Sequence, residues 1–180
     1  MKSTTYLKLK SELIDRGFGN EIKWAENLQP CNSAIDFFAE YMWVVINSGL
    51  KAQIARIIHD RIVVAMQKGK RPSEVFNHQG KAKAIECVFK DRDREFKAYQ
   101  EASDKLSFLE TLPWIGKITK YHLAKNLGLD FCKPDRHLVR IAKMYNTTPD
   151  ILCKRLAQET GDRIGTVDSV IWRSANLGLV

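Results

Sequence analysis

Apolar residues recur at the three-and-four spacing of helices along the chain, and no run alternates with the period of two that a half-buried strand needs. Glycine or proline interrupts the pattern about once per helix. A first helix is predicted over residues 3–16, ending at Gly17, and a short one over 21–28, stopped by Pro30. Ser33 is placed to cap the next helix, where Ile35, Phe38, Ala39, Met42, Val45 and Ile46 share a face. Phe37, Tyr41 and Val44 make its other side apolar too, and a helix apolar all round belongs in the middle of a fold. A helix over 50–67 carries Ile54, Ile57, Ile58, Ile62 and Ala65, with Gly69 and Pro72 marking its end. Shorter helices are expected over 73–76 and 81–89, charged ones over 91–102 and 104–111. Thr148 and Pro149 read as N-cap and first residue of another, and a last helix spans 166–176. The fold class is therefore all-α.

Composition adds a bias towards polyanions. The 180 residues hold 29 Lys and Arg against 21 Asp and Glu, a formal charge of +8. Excess cationic charge favours nucleic acid, because neutralised phosphates release condensed counterions, although many basic surfaces are merely solvated. No stretch is long and apolar enough to span a bilayer, and the first residues lack the apolar core of a secretory signal, so an intracellular place, cytoplasmic or nucleoid-associated, is expected. Cys31, Cys87, Cys132 and Cys153 form no CxxC pair, which argues for reduced thiols and against a zinc or iron–sulfur site.

Two segments carry candidate chemistry. In Leu112-Pro113-Trp114-Ile115-Gly116-Lys117-Ile118-Thr119-Lys120 a helix ends, an apolar turn follows, and a second helix is predicted to start at Gly116. The first amides of a helix point outward at the positive end of its dipole, which suits a phosphate, and Lys117 and Lys120 flank the place. A plain helix–helix corner is the alternative reading of the same turn. In Lys133-Pro134-Asp135-Arg136-His137-Leu138-Val139-Arg140-Ile141, Pro134 suits the first position of a helix whose buried stripe is Leu138, Ile141, Ala142 and Tyr145. Asp135 then lies on the inward side, where the helix N-terminus favours a charged carboxylate, or it is an ordinary first-turn acid. Arg136 and Arg140 share a face from which both reach a phosphate backbone.

The two segments together resemble the helix-hairpin-helix (HhH-GPD) DNA glycosylase superfamily. Its hairpin reads Leu-Pro-Gly-hydrophobic-Gly, matched by Leu112 to Gly116, and an Asp-x-His-apolar-x-Arg-apolar segment comes about two dozen residues further on, matched from Asp135. Upstream, residues 37–58 resemble the family's buried helix and the helix after it, and 76–85 its following turn with a Lys-Ala pair. The resemblance implies a two-lobed helical fold with a central cleft: one lobe over 30–132, including the hairpin at 111–120, and the other over 1–29 plus 133–180. It implies a monomer that binds double-stranded DNA and flips a base out of the stack, since the reacting atoms are inaccessible inside it. Asp135 would be the catalytic carboxylate. The implied DNA contacts are Trp114, Gly116, Lys117, Thr119, Lys120, Arg136 and Arg140, with Asn47 and Ser48 where relatives fill the gap left by the flipped base. No cofactor is implied beyond a structural monovalent cation at the carbonyls of Glu110, Leu112 and Ile115.

The sequence also departs from the pattern. Ile118 occupies the position where strand-cleaving members carry their Schiff-base lysine, so a monofunctional base-excision hydrolase is expected. Trp114 replaces the first hairpin glycine, and Gly49 cannot act as a wedge. Asp168 is a candidate second carboxylate, and Tyr41, Trp43 and Trp172 are candidate base-pocket walls, with core packing as the alternative for all three aromatics. The same residues are compatible with two other functions: a transferase on the same scaffold that attaches a substituent to a modified pyrimidine during DNA hypermodification, and a non-catalytic DNA-binding module.

Overall fold

A computed structural model describes residues 1–180, and its regular structure is entirely helical. The chain divides into two compact units, residues 1–30 with 124–180 and residues 31–123. The second crossing between them falls inside a helix, upstream of the expected position after 132. Cys132 accordingly packs in the core of the first unit.

In the first unit, α1 (Ser3–Leu13) runs into a π-turn (Ile14–Phe18) and then α2 (Gly19–Asn27). Gly17 marks the kink with φ of 90°, a left-handed value that glycine adopts without strain. The remaining helices are α9 (Arg136–Met144), α10 (Pro149–Thr160) and α11 (Ile164–Asn176). Thr148 caps α10 through its hydroxyl and Pro149 is its first residue, as the sequence indicates. α11 lies at the centre, packed on α1, α2, α9 and α10. Its run Gly165–Ile171 is buried on every side, because small and β-branched side chains let four helices approach one.

In the second unit α3 (Ala34–Asn47) takes the central place, against α4 (Ala52–Gln67), α5 (Gln79–Lys90) and α6 (Arg92–Glu101). Ser33 caps it by accepting from the Asp36 amide, and Phe37, Phe38, Tyr41, Met42, Val44, Val45 and Ile46 are all buried. A 3₁₀ turn (Pro72–Glu74) stands where a short helix is expected, and α7 (Lys105–Thr111) precedes the hairpin. α8 (Thr119–Asn126) follows the hairpin.

Three expectations from periodicity fail. On α4 only Ala55, Ile62 and Ala65 are buried, while Ile54 and Ile57 are exposed. Ile35 is exposed as well, one residue into α3. Tyr145 lies past the end of α9 and is exposed, because the helix stops at Met144 and the turn carries the ring away from the stripe.

Candidate functional site: the hairpin and the Asp135 segment

The hairpin is anchored from inside its own unit. Leu112 and Ile115 are buried, and the Ile115 amide donates to the Leu112 carbonyl at 3.1 Å. The Tyr41 hydroxyl donates to the Pro113 carbonyl at 2.8 Å. Tyr41 is thus a wholly buried clamp beneath the turn and offers no open pocket wall; burial also pushes its hydroxyl above the ordinary tyrosine range. Trp114 forms the apex with φ of 64°, a conformation that bulky side chains rarely adopt, and the residue is 48% exposed.

The helix after the turn begins at Thr119, not at Gly116. The Gly116 amide donates to the Thr119 hydroxyl at 2.7 Å, the N3-to-N-cap half of a capping box. The Gly116 carbonyl accepts from the Lys120 amide at 3.0 Å. Gly116 therefore spends its amide on Thr119, and the outward amides at the start of α8 are those of Lys117 and Ile118. The Lys117 side chain is exposed. The Lys120 ammonium is tied to the Glu110 carboxylate at 2.5 Å. Ile118 is exposed on the same stretch.

At the far end of α3, the Lys81 ammonium holds the Ser48 carbonyl at 2.5 Å and the Ile46 carbonyl at 3.4 Å. Burial lowers the Lys81 pKa from its usual value. Asn47 and Ser48 are half-buried, with Gly49 beside them at φ of 77°. Trp43 stacks on the Arg56 guanidinium, 4.5 Å from its ring centre, and packs edge-on against His59.

Asp135, in the first unit, is the N-cap of α9 and not a residue inside it. Its Oδ1 accepts from the His137 amide at 2.9 Å and the Leu138 amide at 3.1 Å. Pro134 therefore precedes the cap and Arg136 is the first helical residue, two residues later than proline spacing alone suggests. Oδ2 of Asp135 takes no part in the cap, and the residue is half-buried. Arg136 and Arg140 are exposed, and Arg140 donates to the Val180 carbonyl at 3.0 Å.

Asp168 has a different role from the second acid considered above. It is 2% exposed in the middle of α11 and lies 2.7 Å from the Lys125 ammonium. It also accepts from the Lys133 amide at 3.3 Å, so it is an internal tie for the segment leading to Asp135. Lys133 escapes sequence reading. Burial lowers the pKa of its ammonium from the usual value, the neighbouring Asp135 opposing that shift and Lys125 adding to it. Trp172 packs on the core of the first unit, with the Arg173 guanidinium 4.8 Å from its ring centre. Arg173 pairs with Glu21 at 2.7 Å.

Comparison with solved structures gives one decisive observation. The chain superposes on the 8-oxoguanine DNA glycosylase of Thermotoga maritima with a TM-score of 0.68, covering 94% of this chain and 93% of that one at 16% identity. The chain has the fold of a DNA glycosylase. That likeness spans both units and not the hairpin alone. No family model matches the sequence, and no curated protein matches it. The glycosylase fold is thus carried here by a sequence that shares few residues with the neighbour.

Proposed function

We propose that the chain is a monofunctional DNA glycosylase of the helix-hairpin-helix superfamily, acting on a damaged or modified base flipped from duplex DNA. The observation that carries this reading is Asp135: a half-buried carboxylate held by two helix amides through Oδ1, with Oδ2 outside the cap, in a chain with a DNA glycosylase's fold. The net charge of +8 fits a DNA partner.

In this mechanism the outward amides of Lys117 and Ile118, with the Lys117 ammonium, receive a backbone phosphate. Arg136 and Arg140 add cationic reach along the strand, and Asn47 and Ser48 lie where the vacated stack is filled. As the N-glycosidic bond breaks, C1′ gains positive charge, and the fixed carboxylate of Asp135 stabilises it. Water adds to C1′, and the departing base takes up a proton. A monovalent cation at the carbonyls of Glu110, Leu112 and Ile115 belongs to the same proposal. The Leu112 carbonyl accepts one hydrogen bond and retains a lone pair that could take such an ion, which would brace the turn.

Ile118 supplies no amine, so the product is an intact strand with an abasic site. The test is a panel of duplexes, each with one modified base, assayed for abasic sites by cleavage in hot alkali. Alkali-dependent cleavage of at least one member supports the reading. Conversion of a modified base to a heavier nucleoside without excision would replace it with base transfer, and binding without either change would reduce the chain to a DNA-binding module.

A further inference from the structure

We propose that Trp114 is a stacking residue for a nucleobase of the DNA strand held at the hairpin, and that Gly80 is the seat that fixes its ring; this rests on the DNA-acting function above. Trp114 combines two costly features. Its φ of 64° is strained for a large side chain, and nearly half of its surface stays in water. A residue placed for the core would be buried, and one placed only to turn the chain would be glycine.

The ring is supported by the start of α5. The His78 ring meets it edge-on at 4.9 Å between centres, 88° apart. The Lys81 ammonium lies 6.0 Å from the ring centre. A Cβ at Gly80 would stand 2.8 Å from Cζ2 of Trp114, so only glycine leaves room for the ring. From below, Tyr41 holds the preceding carbonyl at 2.8 Å and keeps the strained turn in place. The result is a half-exposed tryptophan, held at its ring by the start of α5, three residues from the exposed Lys117. Bases stack on such planes whatever their identity, since each presents a π-face. The plane thus adds affinity for an unstacked base without reading its sequence.

The test measures binding of a fluorescein-labelled single strand and the matching duplex across a salt series, with the full chain, Trp114→Gly, Gly80→Ala and the double variant. Thermal unfolding is followed in parallel. Glycine accepts a φ of 64°, which offsets the packing lost with the ring, so Trp114→Gly should unfold near the parent temperature. It should lose roughly tenfold in affinity, equivalent to about 1.4 kcal/mol. Its salt slope should match the parent's, because no charge is removed. Gly80→Ala should weaken binding by displacing the ring, and should add nothing in the Trp114→Gly background. Parent-like binding by Trp114→Gly, a reduced salt slope, or a full Gly80→Ala loss in the double variant would overturn the stacking role while leaving the glycosylase reading standing. A parent that binds neither DNA at low salt would overturn both.

Discussion

Oδ2 of Asp168 lies 2.7 Å from the Lys125 ammonium in the interior of the first unit, and the same oxygen accepts from the Lys133 amide at 3.3 Å. One buried carboxylate thereby joins α11 to α8 and to the segment that delivers Asp135. Removing one partner of such a pair strands the other charge. Asp168→Ala should therefore lower unfolding stability by about 3 kcal/mol in urea titrations. A variant within experimental error of the parent would show that the tie is dispensable.

Lys133 should lower stability at neutral pH. Its amine is depressed in the folded protein by burial, so the folded state binds this proton less readily than the unfolded chain does. The cost of charging it is present below the depressed folded value and fades as pH rises towards the ordinary 10.5. Lys133→Met should raise the melting temperature at neutral pH, and its curve should converge on the parent's in alkaline buffer. A constant offset across pH would point to packing instead of charge.

Lys117 should contribute through phosphate alone. Lys117→Glu is expected to weaken duplex binding about equally for all sequences and to make the salt slope shallower by one to two counterions, roughly. Unchanged binding, measured by anisotropy over a salt series, would remove the hairpin from the DNA contact.

Ile118 predicts the chemistry that is missing. Incubated with an abasic duplex and borohydride, the chain should give no covalent adduct in denaturing gels. A trapped adduct would mean that another amine reaches C1′, and Lys133, with its lowered pKa, would be the first to replace.

Much of the helix order was legible because capping and periodicity are local. Ser33 before α3 and Thr148-Pro149 before α10 announce their helices in the residues themselves. Central burial of α3 followed from its being apolar all round. Asp135 was legible as a carboxylate at a helix start, but its place as the cap depends on backbone angles: Pro134 fits either side of the boundary, and the two amide bonds to Oδ1 decide it. The Asp168–Lys125 pair joins residues far apart in sequence, which helix spacing does not reach. The left-handed turn at Trp114 was signalled only by the glycine that the family hairpin carries at this position, since tryptophan itself is among the last residues expected there. Ile54 and Ile57 show the converse failure: a helical stripe marks one face, and here part of that stripe stays in water.

Asparagine caps a helix as well as aspartate does, so Asp135→Asn separates the carboxylate's charge from its structural duty. The decisive measurement is single-turnover base release by this variant on whichever duplex the parent processes, alongside its melting temperature. The expected result is an unchanged melting temperature and a rate lower by about a hundredfold or more. Release at the parental rate from an equally stable Asp135→Asn protein would contradict a catalytic role for Asp135.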